Sequence, residues 1–355
     1  ISLGLVGSEM CIRDRPRSIE NAFRGRLDRD GATAKLGGLN MSSDQLRQVE
    51  RISVIGCGTA LHSGMVGKYL IETLAKIPVE TQHASEFRYS DSPISPKTLF
   101  LAVSQSGETA DTLGALREAK RRGYSCLGIC NNVASSIARE SDGGVYMHAG
   151  PEIGVAATKS FTSQVMVFTL LGLLLGRLHQ LSAAHGTEIL EAITQLPEKI
   201  QQALRHSDSI AKVAKTFAHS RSMLFLGRLA NFPIALEGAL KMKEITYIHA
   251  EGYPSAELKH GVIALIDREI PTVLIATADG VYDKNLGSLQ EIKARGGPVI
   301  AVAHEGDIKV KGLADAVLEV PKTHELLQPI LNVIPLQLFS YHTAVALGRD
   351  VDKPR

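Results

Sequence analysis

Six consecutive residues, Ser104-Gln105-Ser106-Gly107-Glu108-Thr109, gather three hydroxyls around one glycine. They follow the apolar run Leu99 to Val103 and lead into a helical pattern through Leu113 and Leu116. At such a junction the unpaired backbone N–H groups and the positive helix end attract an anion, so the loop suits a phosphate. The competing reading is a plain helix cap, with Ser106 or Thr109 satisfying one N–H. A second loop, Gly56-Cys57-Gly58-Thr59, ends another apolar run, and its glycines allow a tight turn beside the Thr59 hydroxyl. Two such loops favour phosphate. A dinucleotide is disfavoured, because Leu61 fills the third small position of the fingerprint and Val79-Glu80 is a poor acidic strand end. No GKT/S sequence completes an ATPase loop.

Acid–base chemistry concentrates further along. Glu237, Lys241 and Glu244 stand at i, i+4 and i+7 and share one helix face, while Lys243 points elsewhere. A surface ion-pair ladder is the ordinary reading. The alternative is a cleft-lining face, since this helix follows a glycine turn and is rich in Ala, Gly and Met. His260 precedes Gly261 in a loop leading to a strand expected at Val262 to Ile266; a loop histidine near a carboxylate can shuttle protons. A third loop, residues 151–164, offers Thr158, Ser160 and Thr162 as ligand contacts or as helix caps. Metal is not expected, with no HExxH and no close histidine cluster. Nor is a cofactor. Cys126 and Cys130 read as small buried hydrophobes.

The elements that must hold these loops are legible in outline. With 355 residues the chain suits two domains rather than one core. Its 44% hydrophobic and 21% charged residues exclude a disordered or collagen-like chain. A net charge of +2 with no tryptophan argues against a nucleic-acid platform. Four scattered cysteines fit a reducing, cytoplasmic setting. The longest apolar run, Val165 to Gly176, falls short of the roughly 18 residues of a membrane span and reads as a core helix.

The chain also repeats itself. Residues 51–80 and 222–251 share a strand, a glycine turn and a helix; HASEF at 83–87 echoes HAEGY at 249–253. TLFLAVSQSG at 98–107 parallels TVLIATADG at 272–280, and 118–131 parallels 291–304. Four pairs in one order mark two tandem α/β sandwiches. Their strands lack polar alternation, as in parallel sheets covered by helices on both faces. Residues 1–15 read as a leader foreign to the fold, 16–45 as a helical extension, 46–185 as the first domain, 186–215 as a helical connection and 216–355 as the second domain, with a final helix from about Leu331.

CGTA at 57–60, SQSGET at 104–109, EIGVAATKSFTSQ at 152–164, LEGALKMKEITYIHAEGYPSAELKHG at 236–261 and ALGRDVDKPR at 346–355 resemble one family. It is the isomerase part of the glutamine–fructose-6-phosphate aminotransferases, and the resemblance runs from about Pro16 to Arg355. It implies two sugar isomerase (SIS) domains of flavodoxin-like type, converting fructose 6-phosphate and glutamine-derived ammonia into glucosamine 6-phosphate. Ser104, Gln105, Ser106 and Thr109 would hold the phosphate, and Thr59 and Val155 would meet the sugar. Glu244 would be the C1/C2 base, Lys241 its acid–base support, and His260 of a neighbouring subunit the ring opener, implying a homodimer. The family joins this part to an N-terminal glutaminase domain and to a lysine-bearing tail; the chain is expected to hold the isomerase part alone. It departs from the pattern at Ala60 and Ala157, where serine is usual. Two other readings stay open: a different double-SIS isomerase or phosphate deglycase, and a non-catalytic sugar-phosphate sensor needing neither Glu244 nor His260.

Overall fold

The computed structural model describes residues 7–91, 95 and 97–355. Packing divides them into two units: 17–151 with 159–195, and 7–16 with 152–158 and 196–355. Helices α1 (Gly7–Arg13) and α2 (Arg15–Phe23) open the described chain. The extension was expected to be helical. It is helical at its start, in α2, and again from Ser43, but between them it carries an antiparallel pair, β1 (Leu27–Asp28) and β2 (Thr33–Ala34), where the Asp28 carboxylate accepts the Gly31 N–H at 3.3 Å. A 3-10 turn at Gly37–Leu39 and helix α3 (Ser43–Arg47) follow, the latter started by a Ser42–Gln45 capping box.

The first sheet is built from β3 (Arg51–Gly56), β4 (Val79–His83), β5 (Thr98–Ser104), β6 (Ser125–Cys130) and β7 (Gly143–Tyr146). Between them run α4 (Thr59–Ala75), α5 (Ala84–Phe87), α6 (Ala110–Arg121) and α7 (Ser136–Glu140). All neighbours are parallel, in the order β4-β3-β5-β6-β7. Every residue of β5 is buried, which is why its sequence shows no alternation. One side of the core gathers Ile55, Phe87, Phe100, Leu116 and Ile137. Helix α8 (Lys159–Leu178) packs along α4. A Cβ at Gly67 would come within 2.4 Å of the Phe168 ring, so glycine is what permits this approach. Among the described residues α8 alone is long and apolar enough to cross a membrane, and its apolar stretch is 83% buried in the protein.

Helices α9 (Ala183–Leu204) and α10 (Ser207–Phe217) occupy the expected connection. The second unit holds β8 (Ser222–Gly227), β9 (His249–Pro254), β10 (Thr272–Ile275), β11 (Val299–His304) and β12 (Ala316–Val320). Its helices are α11 (Asn231–Thr246), α12 (Tyr282–Ala294), α13 (Ile308–Leu313) and the buried α14 (Gln328–Ala346). This sheet is also parallel, ordered β12-β11-β10-β8-β9. Counted within each copy, both sheets run 2-1-3-4-5. The sequence repeat is therefore a repeat of topology.

Two expectations are corrected here. Val262–Leu265 forms a 3-10 turn rather than a strand. Gly261 stands at φ +124°, and the Asp267 carboxylate accepts the N–H groups of Glu269 and Ile270, so the chain is coiled until Thr272. Residues 7–15, set outside the fold on sequence, are packed into it: Cys11 and Ile12 are buried, and Asp352 accepts the N–H groups of Gly7 and Ser8 at 2.8 and 2.6 Å. Buried Arg15 donates to Gln337. Burial of this apolar pair and the Asp352 cap draw the segment in. Residues 1–6 of that expected leader lie outside the described residues.

Candidate active site

In a 2-1-3-4-5 sheet the ligand crevice lies beyond the strand ends between the first and third strands. In the first unit these are β3 and β5, whose exits are the Gly56–Gly58 turn and the Ser104–Thr109 loop. Ser104 is buried, and its Oγ accepts the Gly107 N–H at 3.0 Å while lying 2.9 Å from Thr109 Oγ1. Ser106 is exposed and accepts the Glu108 N–H at 3.1 Å. Thr109 occupies the N-cap position of α6 yet makes no side-chain cap bond. Its hydroxyl turns toward Ser104, so the plain-cap reading fails for Thr109, whereas Ser106 does satisfy one N–H as that reading expects. Gly107 stands at φ +69°, and a Cβ there would meet Ser135 Oγ at 2.1 Å. Glycine is therefore required by conformation and by space. The loop is braced from outside: Ile137 N–H donates to Gly107 O at 3.0 Å and Asn131 N–H to Gln105 O at 3.1 Å. Ser136 N–H donates to the Glu108 carboxylate at 2.7 Å, which holds that exposed carboxyl below its usual range.

The other loop residues take recognisable places. Thr59 is the first residue of α4 and half-buried, after Gly58 at φ +52°. Ala60 is buried at the same helix start. A cavity of about 350 Å³ lined by Arg26, Asn40, Ser141 and Tyr146 lies at the β6–β7 edge and includes none of the expected site residues.

The acid–base residues belong to the other unit. Glu237 and Lys241 are 0% and 2% exposed, so the surface-ladder reading fails for them. Lys241 Nζ lies 3.4 Å from Glu237 Oε1 and 2.7 Å from Glu244 Oε2. The Glu244 side chain keeps 37% of its surface open. Burial alone would lower the Lys241 pKa, but the two carboxylates outweigh it and raise it above the ordinary lysine value. The result is a buried ammonium, fixed from behind by one carboxylate, presenting a second carboxylate to solvent. That second group can accept a proton. His260 is exposed at the end of the 3-10 turn Ser255–Lys259, its N–H bonded to Glu257 O at 3.0 Å. In the 152–158 segment, Thr158 Oγ1 donates to Glu152 at 2.8 Å and Val155 is 73% exposed. Ala157 is half-buried there.

Thus Ser104, Gln105, Ser106 and Thr109 come together in one loop, and Lys241 and Glu244 come into contact. His260 stands on a separate turn of its unit. Sequence reading missed Ser135, which fills the space beside Gly107; its signal was a third strand-end loop in the same sheet. It also missed the burial of Glu237, for which spacing carries no signal.

Comparison with known proteins agrees with the fold. The SIS domain family matches residues 45–174 and 216–347. The C-terminal domain of glucosamine-fructose-6-phosphate aminotransferase from Francisella tularensis is 38% identical, with a TM-score of 0.93 over 99% of both chains. Glutamine–fructose-6-phosphate aminotransferases from Thermus thermophilus and Bacteroides thetaiotaomicron are 48% and 47% identical over 97% of this chain. The chain spans about half the length of those relatives, 56% of each. It belongs to the SIS domain family, among the C-terminal isomerase domains of the glutamine–fructose-6-phosphate aminotransferases.

Proposed function

We propose that this chain binds fructose 6-phosphate and moves a proton between C1 and C2, as the isomerase part of an enzyme that makes glucosamine 6-phosphate. The observation that carries the reading is the buried Lys241 with Glu244 held at 2.7 Å and partly open to solvent. A sensor has no use for such a pair. Ser104, Ser106 and Thr109, with Gln105, receive the phosphate at the α6 N-terminus, where the helix end favours its charge. Thr59 and Val155 face the sugar. Ala60 and Ala157 supply no hydroxyl, so sugar contacts available to a serine are absent there.

His260 of a second copy assists ring opening, which makes the working unit a homodimer. Ammonia released from glutamine by a glutaminase part of the parent protein, in the cytoplasm, replaces the C2 carbonyl oxygen, which leaves as water. Glu244 then takes one C1 hydrogen as a proton; its electron pair forms the C1–C2 double bond while the C2=N π pair moves onto nitrogen, which takes up a proton to become the amine. A proton delivered to C2 and loss of the C1 hydroxyl proton leave the aldehyde of the amino sugar. The neighbouring Lys241 ammonium balances the charge as the carboxylate gains and loses its proton. Calorimetric titration with fructose 6-phosphate tests the binding half. Wild-type protein should bind, and a Ser106→Ala/Thr109→Ala variant should bind at least about tenfold more weakly, as loss of two phosphate hydrogen bonds implies. Equal affinity would remove this loop from the site.

A further inference from the structure

Helix α11 ends on a strained residue. Tyr247 takes the left-handed conformation at φ +66°, three residues after Glu244, at a position where glycine is the usual occupant. A bulky side chain persists in that conformation when its surroundings hold it. Here the surroundings are the segment following α14. The guanidinium groups of Arg349 and Arg355 lie over the Tyr247 ring, 5.2 and 4.9 Å from its centroid. The Arg355 N–H donates to Tyr247 Oη at 2.8 Å. The spacing of the two arginines is set by a turn: Asp350 Oδ1 accepts the N–H groups of Asp352 and Lys353, both at 3.0 Å. Val351 is buried within the same strap.

We propose that Tyr247 is a positioning residue, through which the strap of residues 349–355 holds the last turn of α11 and with it the Glu244 carboxylate. The role rests on the reading of Glu244 as the proton-moving base. The strap also meets the Val155 segment, where Asp352 O accepts the Val155 N–H at 3.3 Å, but that bond uses none of the Tyr247, Arg349 and Arg355 side chains; through them the strap acts on where Glu244 points. Loosening it leaves the sugar-phosphate loop untouched, so turnover suffers and affinity does not.

The discriminating variant is Tyr247→Gly. Glycine adopts the left-handed cap without strain, so the helix end survives while the anchor for the strap is lost. Arg349→Gln/Arg355→Gln removes the clamp from the other side, and Tyr247→Phe keeps the ring while losing the hydroxyl. Two readouts separate the proposal from the function it rests on. Amide deuterium uptake over residues 243–248 needs no activity; it should rise about tenfold in Tyr247→Gly and in the double variant, and little in Tyr247→Phe. Exchange of the C1 hydrogen of fructose 6-phosphate should then slow about fivefold in kcat with KM unchanged, and Tyr247→Phe should restore most of it. Unchanged amide uptake in both clamp variants overturns the clamp. Raised uptake with wild-type kcat overturns positioning. Should wild-type protein bind fructose 6-phosphate without exchanging its hydrogen, the catalytic reading of Glu244 and positioning fall together, and the uptake data alone decide the clamp.

Discussion

Replacing Glu237 with glutamine removes one charge from a site sealed from water. The Lys241 ammonium lies 3.4 Å from the Glu237 carboxylate, with the two groups 2% and 0% exposed. At an effective dielectric constant near 20 their attraction is about 5 kcal/mol. An amide carries no charge, so Glu237→Gln keeps the shape and forfeits this attraction while the desolvation cost of Lys241 remains. Breaking one side of a buried pair in this way costs about 3–5 kcal/mol. At roughly 2–4 °C per kcal/mol for a unit of this size, the first thermal transition should fall by about 10 °C. Circular dichroism at 222 nm reads it, since the chain lacks tryptophan. A second variant, Glu237→Gln/Lys241→Met, removes both charges and should recover much of the loss, because an apolar side chain needs no counter-charge. A drop below about 2 °C in Glu237→Gln, or a further drop in the double variant, would refute the reasoning that Glu237 holds the buried lysine.

Other outcomes follow from the same structure. Gly107→Ala places a methyl against Ser135 Oγ and forces φ +69° on a residue with a Cβ; calorimetry should find sugar-phosphate binding lost and denaturant unfolding a destabilisation of about 1–3 kcal/mol, while wild-type affinity would show the loop adapts. Burial pushes the Cys126 and Cys130 thiols up to about 12 and about 11, so iodoacetamide at pH 8 should modify half-buried Cys57 well before either, with peptide mass mapping as the check. His304 and His342 are held below the ordinary imidazole value, chiefly by burial. A lowered folded pKa means their contribution is present above about pH 6.5 and lost as the pH falls through the folded values, so the melting temperature should be level from pH 7 to 8 and decline below 6.5. His342→Gln should flatten that decline; an unchanged slope would clear His342 of it.

The fold was legible where burial leaves a composition signal. Leu99 to Val103 and Val299 to Ala303 carry continuous apolar runs because both faces of a parallel sheet are covered, and the glycine turns after β3 and β8 mark where the helices begin. The same logic misread Val262 to Ile266, whose apolar residues form a 3-10 turn after Gly261. Residues 27–34 pair as a short hairpin with too few residues for any periodicity to register. At the site, the hydroxyl loop was readable because strand, glycine and helix follow one another in sequence. The Glu237–Lys241–Glu244 face was readable as a face. Its depth was not, since an i, i+4 spacing is identical on a surface ladder and in a buried triad; only α14 and the sheet packed around α11 decide between them. Tyr247 and its strap are separated by about a hundred residues, beyond the reach of any local pattern.

The central claim is that Glu244 moves the C1/C2 proton. Incubating the protein with fructose 6-phosphate in deuterated water and following the C1 hydrogens by proton NMR tests it directly, with calorimetry confirming that each variant still binds the sugar. Wild-type protein should wash deuterium into C1, and Glu244→Gln, which keeps the shape but cannot accept a proton, should do so at least about 100-fold more slowly at similar affinity. Equal exchange rates in the two proteins would contradict the account and place the base elsewhere.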